Sequence, residues 1–283
     1  MSDFQSVKNL QPLNSNNLQP LNMNNLQTMP KPASFAATNT VFIGRSIRHS
    51  LRNIESLMMA IMLPVMLMLL FTYIFGGALD PSGNYVNYVV PGIILLCAGF
   101  GSSSTAVDVA SDMTNGIINR FRTMPISSIS VITGHVAASL ARNLLATCMV
   151  IGVALLVGFR PNATFIEWLG AIGVIILFIL TFTWLFAAIG LVTGSPSAAS
   201  GYGFALLFLP YLSSAFVPTN TMPSWMQGFA NHQPITPVIE TIRGLLMGTP
   251  VLHNGWWAIG WCSVLLVMSI GWCLLAFRRK SGK

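Results

Sequence analysis

Charged side chains are scarce in this 283-residue chain: Lys and Arg number 14, Asp and Glu 7, together 7% of the sequence, against about 25% in soluble domains. From 168 to 239 there is no Asp, Glu, Lys or Arg, and only His232 could carry charge. In water such a run would aggregate. A bilayer selects for it, because each charge placed at the hydrocarbon centre costs about 2–3 kcal/mol or more. A phosphate cradle is also missing: the only Gly-Lys pair is Gly282-Lys283, which excludes nucleotide binding of the Walker A kind. The four histidines (49, 135, 232 and 253) are scattered, and neither they nor Cys97, Cys148, Cys262 and Cys273 have metal-ligand spacing. No catalytic group and no metal site is expected. The cysteines sit inside apolar stretches and read as small packing residues. Gly99 and Gly101, beside Ser102, Ser103 and Ser104, suit close helix contact better than a serine nucleophile.

What is present is a series of apolar runs of membrane length. A hydrocarbon core of about 30 Å needs roughly 20 residues of helix. Spans are expected at 57–77, 87–108, 143–159, 167–191, 199–217 and 255–277, with Gly194-Ser195-Pro196-Ser197 turning between the fourth and fifth. The third is short, which places Arg142 at the membrane edge with its stem snorkelling to water. Six spans put both termini on one side. That side carries Arg45, Arg48, Arg52, Arg120, Arg122, Arg278, Arg279, Lys280 and Lys283, and the other only Arg160 and Arg243. The asymmetry makes both termini cytoplasmic in a multi-pass protein of the cell membrane. It also accounts for the net charge of +7 without a nucleic-acid partner.

Residues 1–38 repeat NLQPLN from Asn9 and Asn17 and NLQ from Asn25. Such an Asn/Gln-rich segment with no sustained apolar face is expected to be a disordered tail, ahead of a single membrane-spanning domain at 39–283. From 40 to 54 the pattern changes. Ile43, Ile47, Leu51 and Ile54 fall within an arc of about 80° on a helical wheel, and Arg45, Arg48 and Arg52 cluster opposite. This describes a helix lying in the inner interface, or equally a lead-in to the first span. Glu55 is a lone acid there, able to cap a helix or to meet a partner.

The connection after the second span, DVASDMTNGIINRFRTMPISS from Asp108, is far longer than a connector requires. Asn115-Gly116 ends one helix and Pro125 the next. Between them Ile117, Phe121 and Met124 share a face, flanked by Arg120 and Arg122. A short helix of this kind fits a groove on another protein, or rests on the membrane surface.

With VPG at 90–92, Asp112, GIINRFRTMPIS at 116–127, Gly134, Arg142 and GFRP at 158–161, the chain resembles the membrane subunits of type-2 ABC exporters, most nearly those of the daunorubicin-resistance type. The likeness covers about 40–280. It implies an all-α integral membrane protein with six transmembrane helices, an amino-terminal interfacial helix (Arg45, Arg48, Arg52, Glu55) and a cytoplasmic coupling helix between helices 2 and 3. In such proteins the coupling helix docks on a separate ATPase. By position that role falls on Asn115, Gly116, Ile117, Arg120, Phe121, Arg122, Met124 and Pro125. The resemblance further implies two ATPase subunits, which hold ATP and Mg, and a second permease (another copy or a relative), all in membrane lipid. This chain itself would need no cofactor.

The segment 218–252 is broken by Pro223, Pro234, Pro237 and Gly244, with a helical stretch expected at 236–247. The resemblance makes these pieces re-entrant helices between helices 5 and 6. Glu240 and Arg243 are three apart and can pair, which lowers the cost of dipping into the bilayer. Phe71, Tyr73, Tyr202 and Phe208 are candidate pathway-lining residues. The expected function is a permease half-pathway for a bulky amphipathic, drug-like or lipid-like solute. A polysaccharide or lipid-linked glycan is the alternative cargo. An ion-gradient transporter is the rival mechanism, and it calls for ionisable groups at mid-membrane, which the six expected spans lack.

Overall fold

The computed structural model describes Gly44 and residues 54–80, 83–115 and 129–281. The tail at 1–38, Arg45, Arg48 and Arg52, and the loop residues from Gly116 to Pro125 lie outside the described residues, as does the side chain of Glu55.

Among the described residues every regular element is helical. Helix α1 (Ile54–Leu69) contains Pro64, and it continues through a π-helical turn, Leu70–Phe75, and a last turn, Gly76–Leu79. Then follow α2 (Tyr85–Thr114), α3 (Ile129–Val157), α4 (Phe165–Thr193), α5 (Pro196–Leu206), α6 (Ser224–His232), α7 (Ile235–Met247) and α8 (Leu252–Ser281). Among the described residues five helical stretches are long and apolar enough to cross a membrane: Ala60–Leu79, Tyr85–Thr114, Ile132–Val157, Phe165–Thr193 and His253–Phe277.

Two expected spans are corrected. The third runs from 129 rather than 143, because the small and apolar residues before Arg142 continue the helix. The expected fifth at 199–217 is not one helix: α5 ends at Leu206, and Leu209–Leu212 is a 3-10 turn. Pro210 has no amide to continue the i to i−4 ladder, and Ser213 beyond it is extended.

Local chemistry explains the boundaries. Thr164 caps α4 by accepting from the Glu167 amide, and the Glu167 carboxylate accepts in return from the Thr164 amide at 2.6 Å, a reciprocal capping box. Gly194 ends α4 in the left-handed region with φ 72°. Ser195 then caps α5, and Pro196 occupies its first turn. Thr164→Ala is expected to cost about 1 kcal/mol, read as a lower unfolding midpoint of the detergent-purified protein with unchanged helix content.

Helices α2 and α4 are the most buried of the five, and α1 and α8 the least. At Gly190 of α4 an added Cβ would overlap the carbonyl oxygen of Ala106 in α2, so these two backbones meet directly, as small residues permit between membrane helices. Phe178 and Phe182 fill the centre with ring centroids 4.3 Å apart. Cys97, Cys262 and Cys273 are buried and free, whereas Cys148 is exposed on α3.

Candidate functional site

The loop singled out in the sequence connects α2 to α3, and these two helices are tied together by side-chain hydrogen bonds from the level of Asp112 to that of Gly101. Asn115 is the C-cap of α2, its amide bonded to the Ser111 carbonyl at 2.9 Å. One turn back, Asp112 Oδ2 lies 2.8 Å from His135 Nε2 of α3. Deeper, Thr105 donates to Ser139 at 2.9 Å, and Asn143 Nδ2 donates to Ser139 at 3.2 Å and to Ser102 at 3.4 Å. Thr183 of α4 also donates to Ser102, at 3.2 Å. Ser102, Ser103 and Ser104 each donate back to a carbonyl of α2, those of Ala98, Phe100 and Gly101. Their hydroxyls are committed to the helix backbone.

Arg142 stands within this network and corrects the expectation that it snorkels at the membrane edge. Its side chain is 6% exposed. It donates to the Gly101 carbonyl at 3.3 Å and to Ser104, and its second terminal nitrogen is 3.7 Å from Asp108. Because α3 begins at 129, Arg142 is at mid-helix, so an ionisable group does lie among the packed helices. A buried guanidinium is tolerable only with partners of this kind, and the sequence offered no sign that Asp108 and Gly101 would be opposite it.

A second cluster lies at the other end of α2, where the sequence had pointed only to Glu240 and Arg243. These two pair as expected within α7, and Arg243 is 12% exposed. It reaches further than expected. Its Nε and one terminal nitrogen donate to the Tyr88 carbonyl at 3.3 and 3.0 Å, and that same nitrogen donates to the Ser214 carbonyl at 2.9 Å. Its carbon centre lies 3.8 Å from the centroid of the Tyr88 ring. The Tyr88 hydroxyl donates to the Ser214 carbonyl at 3.0 Å and the Tyr85 hydroxyl to the Phe216 carbonyl at 2.7 Å. In the non-helical strap at 213–217 the carbonyls of Ser214 and Phe216 are therefore satisfied by side chains of α2 and α7. It also presses on α2: a Cβ at Gly92 would stand 2.8 Å from the backbone of Ala215.

The pathway candidates divide. Phe71 stacks on Phe216 with centroids 4.4 Å apart, Phe216 on Tyr211 at 5.1 Å, Tyr211 meets Phe208 at 6.1 Å, and Phe208 meets Phe204 edge-on at 5.2 Å. Phe71 and Phe208 thus join one aromatic row. Tyr73 and Tyr202 are more than half exposed and stand outside it. Phe204, Tyr211 and Phe216 were not singled out in the sequence. The i, i+4, i+7 spacing of Phe204, Phe208 and Tyr211 was a usable signal for that part of the row.

Residues 39–247 match the family described as ABC-2 type transporter. The chain is 31% identical over 213 residues to the daunorubicin resistance ABC transporter permease protein DrrB1 of Streptomyces coeruleorubidus, covering 75% of this chain and 73% of the relative. It is 26% identical over 251 residues to the probable doxorubicin resistance ABC transporter permease protein DrrC of Mycobacterium tuberculosis, covering 87% and 90%. A putative transport permease, ycf38, of Cyanophora paradoxa is 28% identical over 210 residues, covering 71% and 69%.

Proposed function

The chain belongs to the ABC-2 type transporter family, and from that premise we propose that it is the permease subunit of an ATP-driven exporter, forming half of the pathway for a bulky amphipathic solute. The relatives are permease subunits, transport components rather than enzymes, and the family brings with it an ATPase partner and a second permease. Two ATPase subunits hold ATP and Mg, and each meets one coupling helix.

The observation that carries this reading is the strapped hairpin of α2 and α3. At 1.5 Å per residue, helices of 30 and 29 residues are about 45 Å long against a hydrocarbon core of about 30 Å. Their surplus carries the end of the hairpin at Asn115 and Ile129 beyond the hydrocarbon core. Hydrogen bonds cross between the two helices from the level of Asp112 to that of Ser102. A push on the loop therefore moves the hairpin as one piece, and its inner half is where α4 attaches through Thr183 and Gly190. The aromatic row supplies a surface for a planar or amphipathic solute, since stacked rings bind apolar faces with defined geometry.

Within this reading α5, the 3-10 turn and the strap together form a broken sixth crossing, because α5 alone is only about 16 Å long. Helices α6 and α7 dip from the outer face. Both termini are then cytoplasmic, in accord with the distribution of basic residues. Cysteines introduced at positions 119 and 162 should label from inside and outside respectively with an impermeant maleimide, and the reverse pattern would overturn the orientation. Transport is tested in inverted vesicles carrying the chain and its ATPase, with daunorubicin as probe. ATP-dependent accumulation is expected. Accumulation driven by an ion gradient without ATP would replace the proposal with the secondary-transporter reading.

A further inference from the structure

We propose that Arg243 is the latch of the outer closure: it holds the strap at 213–217 against the first turns of α2, and its contacts with the strap are released when the pathway opens outward. The inference rests on the exporter reading above and goes beyond it by assigning the closure to one guanidinium.

The argument begins with the strap. Non-helical backbone inside a membrane protein is tolerated only where its polar groups find protein or water partners. The carbonyls of Ser214 and Phe216 find them in the Tyr88 hydroxyl, the Tyr85 hydroxyl and Arg243. Two of these three donors belong to α2. Arg243 belongs to α7 and, among the described residues, bonds to both the strap and the α2 backbone. The planar fork makes this possible: one terminal nitrogen serves two carbonyls, Nε shares one of them, and the other terminal nitrogen holds Glu240. Glu240 sits one turn earlier on α7 and fixes the direction of the fork.

The bonds holding the strap are few and polar, and they sit at its edge. The remainder of the contact is apolar: Gly92 meets Ala215, and Phe216 stacks on Phe71 and Tyr211, with Ala215 and Phe216 buried in the core. Release of Arg243 from the Ser214 carbonyl leaves the guanidinium its Tyr88 and Glu240 partners, so separation strands no unpaired charge. The Ser214 hydroxyl is buried with no hydrogen-bond partner, so its replacement by a thiol sacrifices no bond and provides a reporter beneath the latch.

The test uses full-length protein in membranes. Ser214→Cys is labelled from the outside with an impermeant maleimide, and Asn220→Cys, at an exposed position, serves as the always-accessible control. In the resting protein Cys at 214 is expected to be protected. Arg243→Ala should raise its labelling rate by roughly tenfold or more, since protection tracks the opening equilibrium. Arg243→Lys keeps the charge and loses the fork, so it should fall between. Equal protection with Ala at 243 would sink the proposal. Should the Ala variant fail to reach the membrane, Tyr88→Phe removes a single bond to the Ser214 carbonyl and should raise labelling in the same direction. A merely structural clamp would protect position 214 in every state. The latch requires that a non-hydrolysable ATP analogue, added to the complex with its ATPase, expose position 214 in the Arg243 background. Unchanged protection in a complex that still co-purifies with the ATPase overturns the latch alone. Absence of the ATPase from the purified complex overturns the exporter reading, and the nucleotide-free comparison still decides whether Arg243 closes the strap.

Discussion

Replacing Phe121 with Ala and both Arg120 and Arg122 with Glu is expected to abolish association with the ATPase subunit while leaving membrane insertion intact. The loop at 116–128 offers a partner one aromatic side chain and two guanidinium groups. Aromatic and Arg residues dominate interface energetics, and each central one costs about 2 kcal/mol or more on truncation. Reversing two charges adds repulsion to the loss of attraction. A combined penalty of about 4 kcal/mol or more amounts to roughly a thousandfold in affinity, enough to dissociate a complex at working concentrations. The measurement is stoichiometric co-purification from detergent, with the amount of permease in the membrane fraction as the control. A triple variant that still recovers the ATPase one-to-one would remove the docking role from this loop.

The second large effect is expected at Gly190. Gly190→Val should prevent assembly of α4 on α2, because the new side chain meets the Ala106 carbonyl and neither backbone can retreat without separating the two central helices. Overpacking of this sort costs about 3 kcal/mol or more where backbone is the obstacle. Gly173→Val, on the same helix and with open space around its Cβ position, should be nearly neutral. The comparison is made by size-exclusion profile after stepwise heating in detergent: loss of the monodisperse species at lower temperature for the Gly190 variant, and little change for the Gly173 variant. Equal behaviour of the two would mean that α2 and α4 do not pack as described.

Much of this architecture was legible from composition. Apolar runs bounded by Asp80, Asp108, Glu167 and Arg278 set the first, second, fourth and last crossings to within a few residues, because a single charge is costly enough to mark a membrane boundary. The same rule misplaced the third, where Arg142 was taken for a boundary and proved to be a buried residue. Hydropathy weighs each residue alone and cannot foresee that the Gly101 carbonyl, Ser104 and Asp108 would be waiting on another helix. The expected fifth span failed for the opposite reason: it is uncharged throughout, so no charge marked the break at Pro210. At the outer cluster, the pairing of Glu240 with Arg243 followed from i, i+3 spacing. The longer reach of Arg243 to Tyr88 and Ser214 joins residues far apart in the chain, and no local pattern records it.

Helix α2 meets three different neighbours at fixed angles: Ala215 at the level of Gly92, Asn143 at Gly101 and Gly190 at Ala106. Each residue of a helix is turned by 100° from the one before it. One residue inserted or deleted between Gly92 and Gly101 would leave either the outer strap or the inner hairpin facing the wrong way, whatever residue was chosen. In this stretch the chain is therefore constrained in register more strictly than in composition: side chains there can be exchanged for others of like size, but the count between the two ends is fixed as if it were a dimension of the machine.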